Sequence, residues 1–172
     1  QFIKNYLIHK EDLGSGLSNI KLSVETKGGD IFTKEYMATL QRINDEIFFI
    51  KGVDRSAMKS LWTPNVRWME VTEEGFQGGP IIPATYDGST ESLDQLRQNV
   101  LKSGQVGRLV ANNFSSTIID IPLVEVDPDT GEKLDYQEFS HALEAKVRDA
   151  FSSDDISVYM TGTPKKLADL LD

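Results

Sequence analysis

The chain contains no cysteine, so disulfides, thiolate nucleophiles and Cys-ligated zinc are excluded. Histidine is nearly absent too. His9 and His141 are the only two, far apart and in no metal-ligand spacing such as H-x-x-x-H. A Ser-His-acid triad would have to draw on these two, and no serine stands in a G-x-S-x-G elbow, so nothing in the sequence supports hydrolase chemistry. Gly28-Gly29 and Gly78-Gly79 lie in neither a G-x-G-x-x-G nor a Walker pattern and read as turns rather than phosphate loops. The expectation is a protein without catalytic residues and without a cofactor. Positive charge is also in deficit: 18 Lys and Arg stand against 27 Asp and Glu, giving a net charge of −9 and a pI near 4.7. Binding a phosphate backbone needs clustered basic side chains, so a nucleic-acid partner is not expected, and anionic lipid headgroups are a poor match. No run approaches the roughly 20 apolar residues of a membrane-spanning helix, and no basic start with an apolar stretch marks a signal peptide.

What the chain does have is 39% apolar residues over 172 positions, enough for one domain with a proper core. Ile20, Leu22 and Val24 alternate with polar residues and predict a half-buried strand. Thr33 can cap a helix whose apolar positions Tyr36, Leu40, Ile43 and Ile47 share one face, with Gly52 beyond its end and Met37 in the core. Residues 58–63 and 66–71 read as extended, broken by Pro64, which cannot donate a ladder hydrogen bond. Residues 76–87, rich in Gly and Pro, read as an irregular connection. Ser89 or Thr90 caps a second helix with Leu93, Leu96, Val100 and Leu101 as its apolar face and Gly104 as its stop.

Residues 108–111 and 117–126 read as two strands joined by a turn at 112–115. Asp135, with Glu138 three residues on, opens a third helix whose buried stripe is Phe139, Leu143, Val147, Ala150 and Phe151. His141, two residues after Phe139, should face away from that stripe. Ile156, Val158 and Met160 form a closing strand, and residues 164–171 a short terminal helix. With the inserted helix removed and the hairpin arm merged, the order is βαββαβ, so the expected fold class is α+β, ferredoxin-like (split βαβ), with a helix insertion at about 76–106 and an extra β-hairpin.

Two groups are candidates for chemistry. Asp127, Asp129, Asp135 and Glu138 fall at positions 1, 3, 9 and 12 of a calcium loop. Gly131 at position 5 brings no side-chain oxygen, Glu132 stands where the sharp turn needs Gly, and a strand precedes the loop where an EF-hand has a helix. The competing reading is a turn followed by a capped helix. Around the Pro64 break, Trp62, Trp68, Met69 and Phe76 form an aromatic and thioether group suited to an apolar ligand cleft or a subunit interface; core packing is the alternative fate of such residues. Glu73-Glu74 reads as a solvated turn.

Two segments, SLWTPNVRWMEVTEEG at 60–75 and GRLVANNFSSTII at 107–119, together with GDIFTKEYMATLQRINDEIFFIKGVDR at 29–55, GGPIIP at 78–83, LRQNVLKSG at 96–104 and DPDTGEKLDY at 127–136, carry a family resemblance through their order and spacing. The chain resembles the first extracytoplasmic loop of resistance-nodulation-division (RND) superfamily exporters, in the branch grouped with the MMPL transporters. The turn at Asn112-Asn113-Phe114 departs from the Asp-Gly common in the wider superfamily. The resemblance implies a single soluble porter domain over 1–172, on the periplasmic side of the inner membrane, excised from a polytopic transporter between its first two transmembrane helices. The absence of an initiator Met at Gln1 fits that expectation. Its partners would be the rest of the transporter, with its membrane helices and second extracytoplasmic loop, neighbouring protomers, and a hydrophobic or amphipathic cargo. Trp62, Trp68, Met69 and Phe76 are its cargo or interface candidates. A free-standing ferredoxin-like sensor of a small ligand or calcium is the alternative.

Overall fold

Strand β1 (Asn19–Thr26) sits at the centre of a three-stranded antiparallel sheet, flanked by β4 (Ser116–Pro122) and β5 (Ile156–Gly162); the computed structural model describes residues 19–162. The register explains the alternation. Leu22 lies opposite Ile119 on one side and Met160 on the other, and Val24 lies opposite Thr117 and Val158. Because side chains alternate across a strand, Ile20, Leu22, Val24, Ile119, Ile121, Ile156 and Val158 all reach one face and are buried there. The opposite face carries Lys21, Ser23, Glu25 and the exposed Tyr159. Among the described residues no strand pairs with the outer edge of β5.

Helix α1 (Lys34–Phe48) covers the apolar face with Met37, Leu40, Ile43 and Ile47, and the Thr33 side chain accepts the Tyr36 amide as its cap. The Tyr36 hydroxyl reaches through the core, donating to the Val24 carbonyl at 2.6 Å and lying 2.7 Å from Thr117 Oγ1. One phenol therefore ties the helix to two strands. Burial pushes that phenol far above its ordinary range, partly offset by its hydrogen bonding to Thr117. Helix α2 (Thr90–Ser103) begins at the Ser89 cap and ends at Gly104, whose positive φ of 75° supplies the left-handed C-terminal turn. Helix α3 (Tyr136–Leu143) is capped by the Asp135 carboxylate, which accepts the Gln137 and Glu138 amides, and continues as a π turn (Glu144–Arg148) and a final turn (Asp149–Phe151).

The frame is thus α+β with two antiparallel sheets, and several sequence expectations need correction. Residues 58–63 are turns, not a strand: the Thr63 hydroxyl accepts the Ser60 amide and donates to the Ser60 carbonyl, and Asn65 donates to the Met58 carbonyl, so local side-chain bonds replace a ladder. Only Lys59 exchanges backbone bonds with Asp120, while Asp54 donates to the Pro122 carbonyl, so this segment edges β4 without forming a strand. The stretch expected to be irregular contains strand β3 (Gly75–Pro80), which pairs antiparallel with β2 (Arg67–Thr72). Residues 108–111 make only a bridge and two backbone bonds to β4, and β4 itself stops at Pro122 rather than running to Val126.

Leu101 is exposed, because α2 instead buries the polar Asn99, whose amide donates to the Ile81 carbonyl at 2.9 Å. Ala150 is exposed as well; the π turn adds a residue to the helical repeat and rotates it off the stripe while Phe151 stays half-buried. His141 is exposed, as its offset from Phe139 implies. His9 and the helix expected at 164–171 lie outside the described residues. No helix among the described residues is long and apolar enough to cross a membrane.

Candidate functional site

Trp62 is positioned by a buried hydroxyl. Ser60, fully buried, donates to Asn44 Oδ1 of α1 at 2.7 Å and accepts the Trp62 amide at 3.1 Å. The indole N–H then donates to the Met37 carbonyl at 3.0 Å, so the residue is anchored through its backbone amide to Ser60 and through its ring to α1. Against the indole stands Tyr86, edge to face, with ring centroids 5.7 Å apart at 84°, a geometry that the ring quadrupoles favour.

This pair forms part of a cleft of about 470 Å³, within the range of small-molecule sites. One wall is the outer face of α1, where Lys34, Ala38 and Gln41 recur at helical spacing; the other is the chain from Ile82 and Pro83 through Ala84, Asp87 and Gly88. Ala38 contributes only a methyl, which leaves space between the walls. Gly88 has φ +80°, and a Cβ there would lie 3.1 Å from Lys34 Cγ, so glycine lets the lysine stem lie along the rim.

The lining of the cleft carries one cationic group, Lys34, and one anionic group, Asp87. Asp87 is held ionised below the usual carboxylate range by hydrogen bonds from Ser89 and then Ser92, including the Ser89 amide at 2.9 Å. Burial raises the Tyr86 phenol, and the charges of Asp87 and Glu35 raise it further. Trp62 and Tyr86 offer apolar and aromatic contact, while Lys34, Gln41 and Asp87 offer polar contact. No nucleophile and general base are paired in this cleft.

The four sequence candidates do not form one group. Trp62 alone enters the cleft. Trp68 lies on the inner face of the β2–β3 hairpin, with the Lys102 ammonium of α2 5.2 Å from its ring centre. Met69 and Phe76 are on the outer face, where Met69 pairs with Gly78 and Phe76 with Val71, and both are largely exposed at 62% and 77%. Tyr86, Asp87 and the α1 wall were missed by sequence reasoning. The available signal was an aromatic in a Gly- and Pro-rich connection, which core packing does not require.

Calcium-loop geometry is not assembled. Asp127 Oδ2 lies 2.8 Å and Asp129 Oδ2 3.3 Å from the Lys51 ammonium, so a side-chain cation occupies the position between these carboxylates. Asp127 Oδ1 accepts the Asp129 amide, and Asp135 is used as the α3 cap. Among the described residues no three His, Cys, Asp or Glu side chains group closely enough to hold a metal. A smaller hollow of about 180 Å³ runs beside this loop between Ile50, Leu134 and Phe139, below the usual size of a small-molecule site. No protein-family model matches the sequence, and no curated protein matches it significantly.

Proposed function

We propose that the chain is a porter-type domain of an RND-superfamily exporter of the MMPL-like branch, and that the Trp62–Tyr86 cleft forms part of the path for a hydrophobic or amphipathic cargo. The observation that carries this reading is the cleft itself: an aromatic pair, its Trp62 set by a buried Ser60–Asn44 bond, open between two walls that also carry Lys34, Gln41 and Asp87. The order and spacing of the family-like segments support it. So does the frame, which we read as ferredoxin-like, with β1 between two antiparallel neighbours, helices on one face, and the fourth strand of a split βαβ unit reduced to the bridges at Val53 and Lys59 along β4.

In this reading the domain does no covalent chemistry and holds no cofactor. Coupling to a proton gradient resides in membrane helices outside this segment, and the domain works by changing the width of clefts between packed elements. It sits on the periplasmic side of the inner membrane and contacts the second extracytoplasmic loop and neighbouring protomers. The outer face of the β2–β3 hairpin, with Met69, Val71 and Phe76 exposed, is the surface best suited to such contacts.

The test is to translate the intact gene and assay the full-length protein for export. Apolar segments of about 20 residues on both sides of this domain, with export lost on Trp62→Ala, are expected. A protein with neither flanking segment would overturn the exporter reading and leave a free-standing ligand sensor using the same cleft.

A further inference from the structure

The β2–β3 hairpin sorts its residues by face. Trp68 and Glu70 point inward, where Lys102 of α2 meets them. Cross-strand partners share a face, so Arg67 with Pro80, Met69 with Gly78 and Val71 with Phe76 all lie on the outer one. Met69, Val71 and Phe76 form an exposed apolar centre there. Opposite charges bracket that centre, Arg67 at the base of the hairpin and Glu73 and Glu74 at its tip. Among the described residues none of these three charged side chains has an ion-pair partner.

We propose that this face pairs with the same face of a second copy of the chain, the two hairpins stacked base over tip about a two-fold axis at the level of Glu70 and Gln77. These two residues are cross-strand partners, and Glu70 is turned inward, so the axis leaves the outer face undisturbed. The rotation then sets Met69 against the partner's Val71, Phe76 against the partner's Gly78, and Arg67 against the partner's Glu73, each contact made twice. This deepens, and rests on, the reading of the outer face as a contact surface of the domain.

Shape and charge both favour that occupant. Gly78 is the one bare position on the outer face beside the apolar centre, and a Cβ there would lie 2.8 Å from the Trp68 carbonyl oxygen, so the site stays open for an incoming Phe76 ring. Stacking base over base would instead oppose Arg67 to its own copy and the tip carboxylates to theirs, which costs free energy. A lipid surface is a poorer match, because Glu73 and Glu74 at the tip would meet anionic headgroups. A face about 20 Å long and two strands wide is smaller than that of a stable dimer, so a Kd of about 0.1–1 mM is expected for the free domain.

The test is sedimentation equilibrium of the 172-residue chain from about 10 μM to about 1 mM, in about 0.15 M salt so that repulsion between two acidic chains is screened beyond about 8 Å. The mean mass is expected to rise toward twice that of one chain. Phe76→Ser, at a position 77% exposed and so without cost to folding, should abolish the rise. Arg67→Glu and Glu73→Arg should each weaken association about tenfold, because each reverses two contacts, and the double variant should restore it.

A chain that stays monomeric throughout would overturn the inference and leave the face to another partner, such as the second extracytoplasmic loop. Association that survives Phe76→Ser, or single charge reversals that the double variant does not rescue, would overturn it as well. The outcome is separable from the exporter reading. A hairpin-paired dimer in a protein without flanking apolar segments leaves the inference standing and removes the exporter; a flanked protein whose domain stays monomeric does the reverse.

Discussion

The β1–β4–β5 sheet and the β2–β3 hairpin are both antiparallel, yet they are held by different forces. In the sheet, Leu22 is wholly buried and its cross-strand partners belong to the same core. In the hairpin no β2 residue is buried, and the outer face leaves Val71 74% exposed. An isolated hairpin is marginal in water. This one is fastened to α2 from its inner face, where Lys102 reaches the Trp68 ring and pairs with Glu70 at 3.1 Å. The contrast shows that ladder bonds give strand shape in both places while burial supplies stability in only one.

The largest expected effect breaks the sheet. Leu22→Ala should cost about 3 kcal/mol in urea unfolding, whereas Val71→Ala should stay within about 0.5 kcal/mol. Equal losses would end the distinction. Tyr36→Phe keeps the buried ring and removes only its hydroxyl, leaving the Val24 carbonyl and Thr117 without that partner. A loss of about 1–2 kcal/mol is expected, and no loss would mean the helix-to-sheet tie is immaterial.

A smaller effect sharpens the hairpin side. Lys102→Ala should lower global stability by less than about 1 kcal/mol, yet speed amide exchange throughout β2 and β3 while β1 exchanges unchanged. Uniform acceleration would show that the hairpin opens only with the sheet.

The smallest effect concerns the Lys51–Asp127 pair, in which the lysine is exposed and the aspartate side chain is only 15% exposed. Bonding to Lys51 is the main reason the Asp127 carboxyl lies below its usual range, and bonding to Asp127 is the main reason the Lys51 ammonium lies above its own. The carboxylate contribution is therefore present above the ordinary carboxylate range and lost as pH falls through the lowered value. The lysine contribution is present below its ordinary value and lost as pH rises through the raised one. Lys51→Met should move the Asp127 titration, followed by carbon-13 NMR, back upward; an unmoved titration would reject the pairing.

The strands β1, β4, β5 and β2 were legible and β3 was not, for a physical reason. Ile20, Leu22 and Val24 alternate because one face is buried, and Thr33, Ser89 and Asp135 announce helices because orphan amides need acceptors. Strand β3 reads GFQGGP, whose glycines and proline lack strand propensity, and pairing with β2 overrides them. The Trp62–Tyr86 cleft was half legible. Trp62 stood out as an aromatic near Pro64, but its partner is 24 residues away in sequence, on a chain that Asn99 of α2 holds at the Ile81 carbonyl.

The buried Tyr36 phenol has a mechanical consequence for the cleft. A helix hydrogen-bonded from its first turn to two strands cannot slide along its axis without breaking both attachments, so α1 is a fixed jaw, and Trp62, bonded to Met37, moves with it. The opposite jaw, residues 82–88, is held near one end by the Asn99 bond to Ile81 and near the other by the Asp87–Ser89 turn. Widening is therefore expected to swing that jaw alone, with the register of α1 against the sheet unchanged, and spin labels at positions 38 and 84 should separate while labels on α1 and β1 keep their spacing.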